Sequence, residues 1–245
     1  MWRNKEKRNQ LFILLFFTFV LILLTFSFKL IFMINATGIR MTVNCFLYLL
    51  LGFVAFLFIK LSKLKSDYGF KNRKAYLIGI LLAIGLELII GVFPALMGFS
   101  LIGEHRDFAL WYLIGKFFYY VLIIGPVEEL IFRVYIQDTI IELLPRNKWL
   151  GVVLASMLFG FWHIINGNLI QVLFATLLGL AFGFAKYNIK NCKYVGVAVS
   201  HGLYDFLNVV TTILVVKLRN CTLEEIRGLS IDSLQKKSVQ QIFSL

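Results

Sequence analysis

Two adjacent carboxylates and a guanidinium, Glu128, Glu129 and Arg133, sit in the middle of an otherwise apolar stretch, and two of the chain's three histidines, His163 and His201, lie in later apolar stretches. Ionisable groups at membrane depth are costly, so they mark function and demand partners. The residue types suit hydrolysis. A desolvated carboxylate is a stronger base toward water, and an imidazole can orient that water or hold a developing oxyanion. Two imidazoles and a carboxylate also make a zinc set with an open water position. Such a set, Glu128, His163 and His201, would draw its ligands from three separate segments, and no His-Glu-x-x-His string is present. Bare water and metal-bound water both stay open.

Helical spacing divides the acidic pair. Glu129 and Arg133 are i,i+4 neighbours able to pair, whereas Glu128 points about 100° away. Glu128 is thus the free carboxylate. Phe159 and His163 share a face, as do His201, Asp205 and, one further turn along, Asn208. Gly125-Pro126, just before the carboxylates, predicts an interruption with the helix restarting at the proline. Glu87 is a further acid in an apolar run, expected to pair with a lysine such as Lys116 or to line a cavity.

The elements that carry these residues follow from composition. Of 245 residues, 60% are hydrophobic and 16% charged, with mean hydropathy +0.83, which excludes a water-soluble domain. The expected fold is all-α, a polytopic transmembrane helix bundle of about seven spans, with eight as the alternative. The spans fall near 11–33, 43–61, 75–98, 108–137, 149–166, 169–186 and 194–216. The first, preceded by Arg3, Lys5, Lys7 and Arg8, reads as a retained signal anchor, being too long for a cleaved leader and lacking a small-residue cleavage site. Trp111 and Trp149 read as interfacial anchors. Cys45, Cys192 and Cys221 show no paired spacing.

The net charge of +12 does not point to nucleic acid. Its lysines and arginines gather in the even connections, Lys60 to Lys74, Arg146 with Lys148, and Lys186 to Lys193, which puts the N-terminus in the cytoplasm. An odd span count leaves the C-terminus outside, although Lys236 and Lys237 fit that poorly. At a rise of about 1.5 Å per residue, Glu128, His163 and His201 lie roughly 14, 21 and 10 Å from the cytoplasmic ends of their spans. A shared level favours a shared, water-accessible cavity.

Glu128-Glu129-x-x-x-Arg133, Phe159-x-x-x-His163 and His201-x-x-x-Asp205, in this order on separate spans, resemble the three-motif signature of the CPBP family. That family comprises CAAX proteases and bacteriocin-processing (Abi) enzymes and is related to the Ras-converting endoprotease. The resemblance covers about residues 110–210. It divides the single membrane domain into N-terminal transmembrane segments (1–107), a CPBP-like catalytic core (108–217) and a polar tail (218–245). Asp205 stands where many members carry Asn. The resemblance implies an intramembrane endopeptidase in which Glu128 is general base and His163 its partner on the water. It also implies that His201 stabilises the oxyanion with Asp205 fixing its ring, that Asn208 is an alternative donor, and that Glu129 with Arg133 and Phe159 supports the geometry.

Three functions are therefore weighed. The first is an endopeptidase acting on a membrane-associated, prenylated or precursor peptide, in the plasma membrane of a bacterium. The second is a non-catalytic binding protein such as a bacteriocin self-immunity factor or sensor-kinase modulator. The third, a proton-relay transporter, is disfavoured because internal repeats and paired broken helices are missing from the sequence. The expected partners are the lipid bilayer and a peptide or protein substrate, with no nucleic acid. Oligomeric state is left open.

Overall fold

The computed structural model describes residues 5–32, 37–97, 109–165 and 169–215. All regular structure among them is helical. Seven helices follow in chain order: α1 (Lys5–Phe32), α2 (Thr37–Leu61), α3 (Arg73–Leu96), α4 (Leu110–Leu143), α5 (Lys148–Trp162), α6 (Leu169–Asn188) and α7 (Tyr194–Val215). Each coincides with an expected span. Six are long and apolar enough to cross a membrane. The exception is α5, whose 15 residues cover only about 22 Å. The polar tail, His105 and the side of the C-terminus fall outside the described residues.

The expected interruption at Gly125-Pro126 does not occur; α4 runs through it and widens instead. Residues Tyr119–Ile124 and Leu130–Gln137 are π-helical, on either side of an α-helical turn at Gly125–Glu129. A proline lacks the N–H of the ordinary ladder and its ring presses on the carbonyl four residues back. A wider turn before Pro126 relieves both, and π-turns of this kind gather at functional sites. In α3, Glu87–Val92 is a third π-helical segment.

The N-terminal helices are part of one core with the later ones. Leu14, Phe17 and Leu21 of α1 and Leu51, Ala55 and Ile59 of α2 are buried with Ile131, Phe132 and Tyr135 of α4. Phe17 meets the Tyr135 ring edge-on at 4.7 Å. With lipid outside, association rests on close packing and polar contacts, hence small residues where helices touch. Gly179 of α6 lies against Arg133 and Phe159, and Gly160 of α5 against Thr176.

The basic connections converge on one face. Gln10 donates to the Ser62 carbonyl at 3.2 Å, Lys193 pairs with Asp67 at 3.3 Å, and Ser66 donates to Asp138 at 3.0 Å. Lys186 binds Asp138 at 2.5 Å and the Arg133 carbonyl at 3.1 Å. The N-terminal end of α1 and the α2–α3 and α6–α7 connections thus share one side of the bundle.

Candidate active site

α4 supplies the carboxylates. Glu129 and Arg133, both fully buried, form the expected i,i+4 pair at 3.1 Å, and the guanidinium lies over the Phe159 ring at 5.2 Å. Glu128 is buried too. It is not wholly free: its Oε1 accepts a hydrogen bond from the Tyr48 hydroxyl at 2.7 Å, and that hydroxyl lies within hydrogen-bonding reach of the Trp162 indole. Glu128 Oε2, by contrast, has no hydrogen-bond partner and stands 3.7 Å from His201 Nε2.

His201 is the hub. Its Nδ1–H donates to Glu129 Oε1 at 2.9 Å, because a carboxylate only accepts. Its Nε2 then faces Glu128 on one side and Asp205 Oδ2, at 3.5 Å, on the other. The ring is stacked on Phe182 at 5.1 Å and meets Phe159 edge-on at 5.5 Å. Glu129 therefore serves two partners, Arg133 and His201, and not the arginine alone.

His163 caps the short helix. α5 ends in a single 3-10 turn, His163–Ile165, which leaves its last carbonyls without intrahelical partners. His163 Nδ1–H donates to the Phe159 carbonyl at 2.9 Å, fixing the tautomer that leaves Nε2 with its lone pair. Its ring is edge-on to Phe159 at 4.8 Å, and Asp205 lies within electrostatic range of it. Phe159 thus walls both histidines. Asn208, one turn further along α7, is turned toward Glu87 and Tyr204. Lys116 does not pair with Glu87; its ammonium lies over Tyr112, Tyr119 and Tyr120 at 5.3–5.6 Å.

Backbone contact sets the distance between the first and third motifs. A Cβ on Gly125 would stand 2.5 Å from the Gly202 nitrogen, and one on Gly202 would stand 2.5 Å from the Tyr120 oxygen. Only glycine at both positions lets α4 and α7 touch this closely. Toward the basic face, the Tyr194 hydroxyl donates to the Pro126 carbonyl at 2.9 Å. Tyr68 braces this end, with its carbonyl accepting from Val195 N–H and its ring edge-on to Tyr194. Burial, and then the Asp138 carboxylate, push the Tyr68 phenol above its ordinary range. Burial likewise pushes the Cys192 thiol in the α6–α7 connection up to about 11.

Among the described residues no three His, Cys, Asp or Glu side chains form a metal-holding group. His201 Nδ1 is taken by Glu129 and His163 Nδ1 by a backbone carbonyl, which leaves the Nε2 of each ring as the nitrogen that could meet water or a metal. What the arrangement offers is a carboxylate oxygen without a hydrogen-bond partner 3.7 Å from the His201 Nε2, with the Phe159 ring edge-on to both His201 and His163. Such a site can take a proton from water and return it.

Tyr48, Phe182, Trp162 and Tyr194 were not among the residues singled out in the sequence. Each comes from outside the three motif strings or from the ring beside one, and none has a charge to draw the eye. Trp162 precedes His163, and His201-Gly202 with Gly125-Pro126 carry the glycine signal of close helix approach.

Residues 110–207 match the family model described as "Type II CAAX prenyl endopeptidase Rce1-like". An uncharacterized protein of Mycoplasma capricolum subsp. capricolum is 30% identical over 190 residues, 65% of this chain and 52% of that protein. The chain thus spans about half the length of the curated relative it matches. No solved structure matches. The family match covers the segment that carries all three motifs, less than half of the chain, and that segment is similar to the CAAX prenyl endopeptidases, within a multi-pass membrane protein that has six helices long and apolar enough to cross a membrane among its described residues.

Proposed function

We propose that this chain is an endopeptidase that hydrolyses a peptide bond of a membrane-associated or prenylated substrate within the bilayer. The observation that carries the reading is Glu128 Oε2, a buried carboxylate oxygen without a hydrogen-bond partner, 3.7 Å from His201 Nε2. That gap is too long for a direct hydrogen bond and too short for an atom to fit between, so both groups can face one oxygen set to the side of the line that joins them. Glu128 Oε2 removes a proton from a water whose other hydrogen is accepted by His163 Nε2. The oxygen bonds to the scissile carbonyl carbon while the carbonyl π electrons move onto its oxygen. His201 acts as the imidazolium, with Nδ1–H held by Glu129 and Nε2–H, beside Asp205, donating to that oxyanion. On collapse the C–N bond breaks, and Glu128 returns its proton to the departing amine.

Glu129 and Arg133 keep the two α4 carboxylates apart in role: one orients an imidazole, the other holds the proton. No step requires a metal. The lysine-rich face is cytoplasmic in this reading, with the N-terminus on that side in a bacterial plasma membrane, and substrate reaches the site from within the bilayer.

The test uses full-length protein in proteoliposomes with a fluorescence-quenched farnesylated Cys-a-a-X peptide. Glu128→Gln and His163→Ala should each lower kcat by about 10³-fold or more with little change in KM, since both groups act on the reacting water. If wild-type protein releases no fragment from this probe or from a precursor-peptide library, and both variants preserve the cellular phenotype, a non-catalytic binding role replaces the protease.

A further inference from the structure

We infer that Glu87 of α3 is a positioning residue for the His201–Asp205 face of α7, an inference that rests on the endopeptidase reading for its kinetic arm only. Glu87 is buried at 4% exposure, and neither carboxylate oxygen closes a well-formed hydrogen bond. Thr211 and Asn208 of α7 stand within reach of it, with Asp205 beyond. The levels agree. Glu87 lies fourteen residues past Arg73, and Asn208 fourteen past Tyr194, so both sit about 21 Å along helices that start at the same face.

Three features of the fold make room for this carboxyl. Helical side chains lean toward the N-terminus, over the turn before their own Cα. Glu87 turns the other way: its carboxyl occupies the space where a Cβ on Gly91, four residues later, would be. Gly91 leaves that space, and the π-helical segment Glu87–Val92 contains both residues. Opposite stands the polar strip Asp205, Asn208 and Thr211, one face of α7. At the basic end the same two helices are pinned by small residues, with Gly79 against Gly196. Glue at one end and a polar contact at the other fix the rotation of α7 about its axis, and that rotation aims Asp205 and His201. Glu87 touches no reacting atom; it acts through Asn208 and α7.

The experiment compares Glu87→Gln, which keeps an amide able to bond Asn208 and Thr211, with Glu87→Leu, which keeps bulk alone, in the full chain in proteoliposomes. With the quenched farnesylated peptide, Glu87→Leu should lose kcat at least about tenfold at unchanged KM and unchanged melting temperature, as misorientation near a reacting centre does. Glu87→Gln should restore most of it. A second readout needs no activity. The chain has three histidines, so ¹⁵N-histidine spectra resolve the His201 ring, identified by its loss in His201→Gln. Glu87→Leu should move the His201 signal and leave His163 and His105 in place, with Glu87→Gln near wild type. An unmoved His201 signal in Glu87→Leu overturns the inference, as does a loss of melting temperature that Glu87→Gln does not restore. A wild-type protein that cuts nothing while the His201 signal responds as described overturns the protease reading and leaves Glu87's role standing.

Discussion

Gly202→Ala tests whether helix contact sets the reacting distance. A Cβ there would lie 2.5 Å from the Tyr120 oxygen and 2.7 Å from the Val121 Cα. Both are backbone atoms of α4, so no side chain can swing away. Ordinary contact lies near 3.5 Å, and α4 and α7 must part by about 1 Å to reach it. His201 precedes this residue and its Nε2 stands 3.7 Å from Glu128 Oε2, a gap that would open to about 4.7 Å, and misplacement by about 1 Å costs about 100-fold in rate. Overpacking should also cost about 1–3 kcal/mol of stability. The assay is kcat on the quenched farnesylated peptide in proteoliposomes, read beside thermal unfolding. Gly115→Ala, on the same α4 but with open space around the added methyl, is the control and should leave both unchanged. A Gly202→Ala protein with wild-type kcat would refute the reasoning, since the clash is with backbone alone.

Tyr48→Phe leaves Glu128 Oε1 without its donor, at about 1.5–3 kcal/mol for a hydrogen bond to a charged group; kcat should fall with KM unchanged, as steady-state kinetics would report. Glu129→Gln or Arg133→Met alone leaves a buried charge uncompensated, at about 3–5 kcal/mol, whereas the double variant should recover part of that loss in melting temperature. Chelator-treated protein holding no stoichiometric metal should retain full cleavage; loss of activity restored by added zinc would return the metal to the reaction. Cys192, with its thiol pushed up to about 11 by burial, should react with a maleimide at pH 7.5 far more slowly than a free thiol. Its rate should climb as pH approaches 11 and rise at once on denaturation.

How much of this was legible in the sequence can be judged residue by residue. Every helix coincides with a span read from hydropathy, because the bilayer imposes length and apolarity on each segment locally. The sequence placed Glu128, His163 and His201 at similar depths; the structure brings Glu128 and His201 to 3.7 Å and seats His163 against Phe159. Tyr48 was not legible: it approaches Glu128 across 80 positions of sequence, and nothing in its own span marks it. Nor was the sharing of Glu129 between Arg133 and His201, which depends on how α7 turns against α4. The π-turns around Pro126 escaped because a proline predicts a broken ladder, and whether the chain breaks or widens is decided by the helices packed around it. Glu87 was visible as a buried acid, but its partner was misassigned; Lys116 is held by tyrosine rings, and Asn208 faces the acid.

The shortness of α5 reaches beyond the protein into the lipid around it. A 15-residue helix of about 22 Å does not match a hydrocarbon layer of about 30 Å, and Leu154 and Met157 on its outer side are exposed to that layer. Acyl chains beside α5 must compress to avoid wetting these side chains, thinning the bilayer where the helix ends. That end is His163. Hydrophobic mismatch thus brings the aqueous phase nearer to the imidazole that the proposed reaction uses, and it makes membrane thickness a control on hydrolysis: bilayers of short acyl chains would relieve the compression, and long, saturated chains would oppose it.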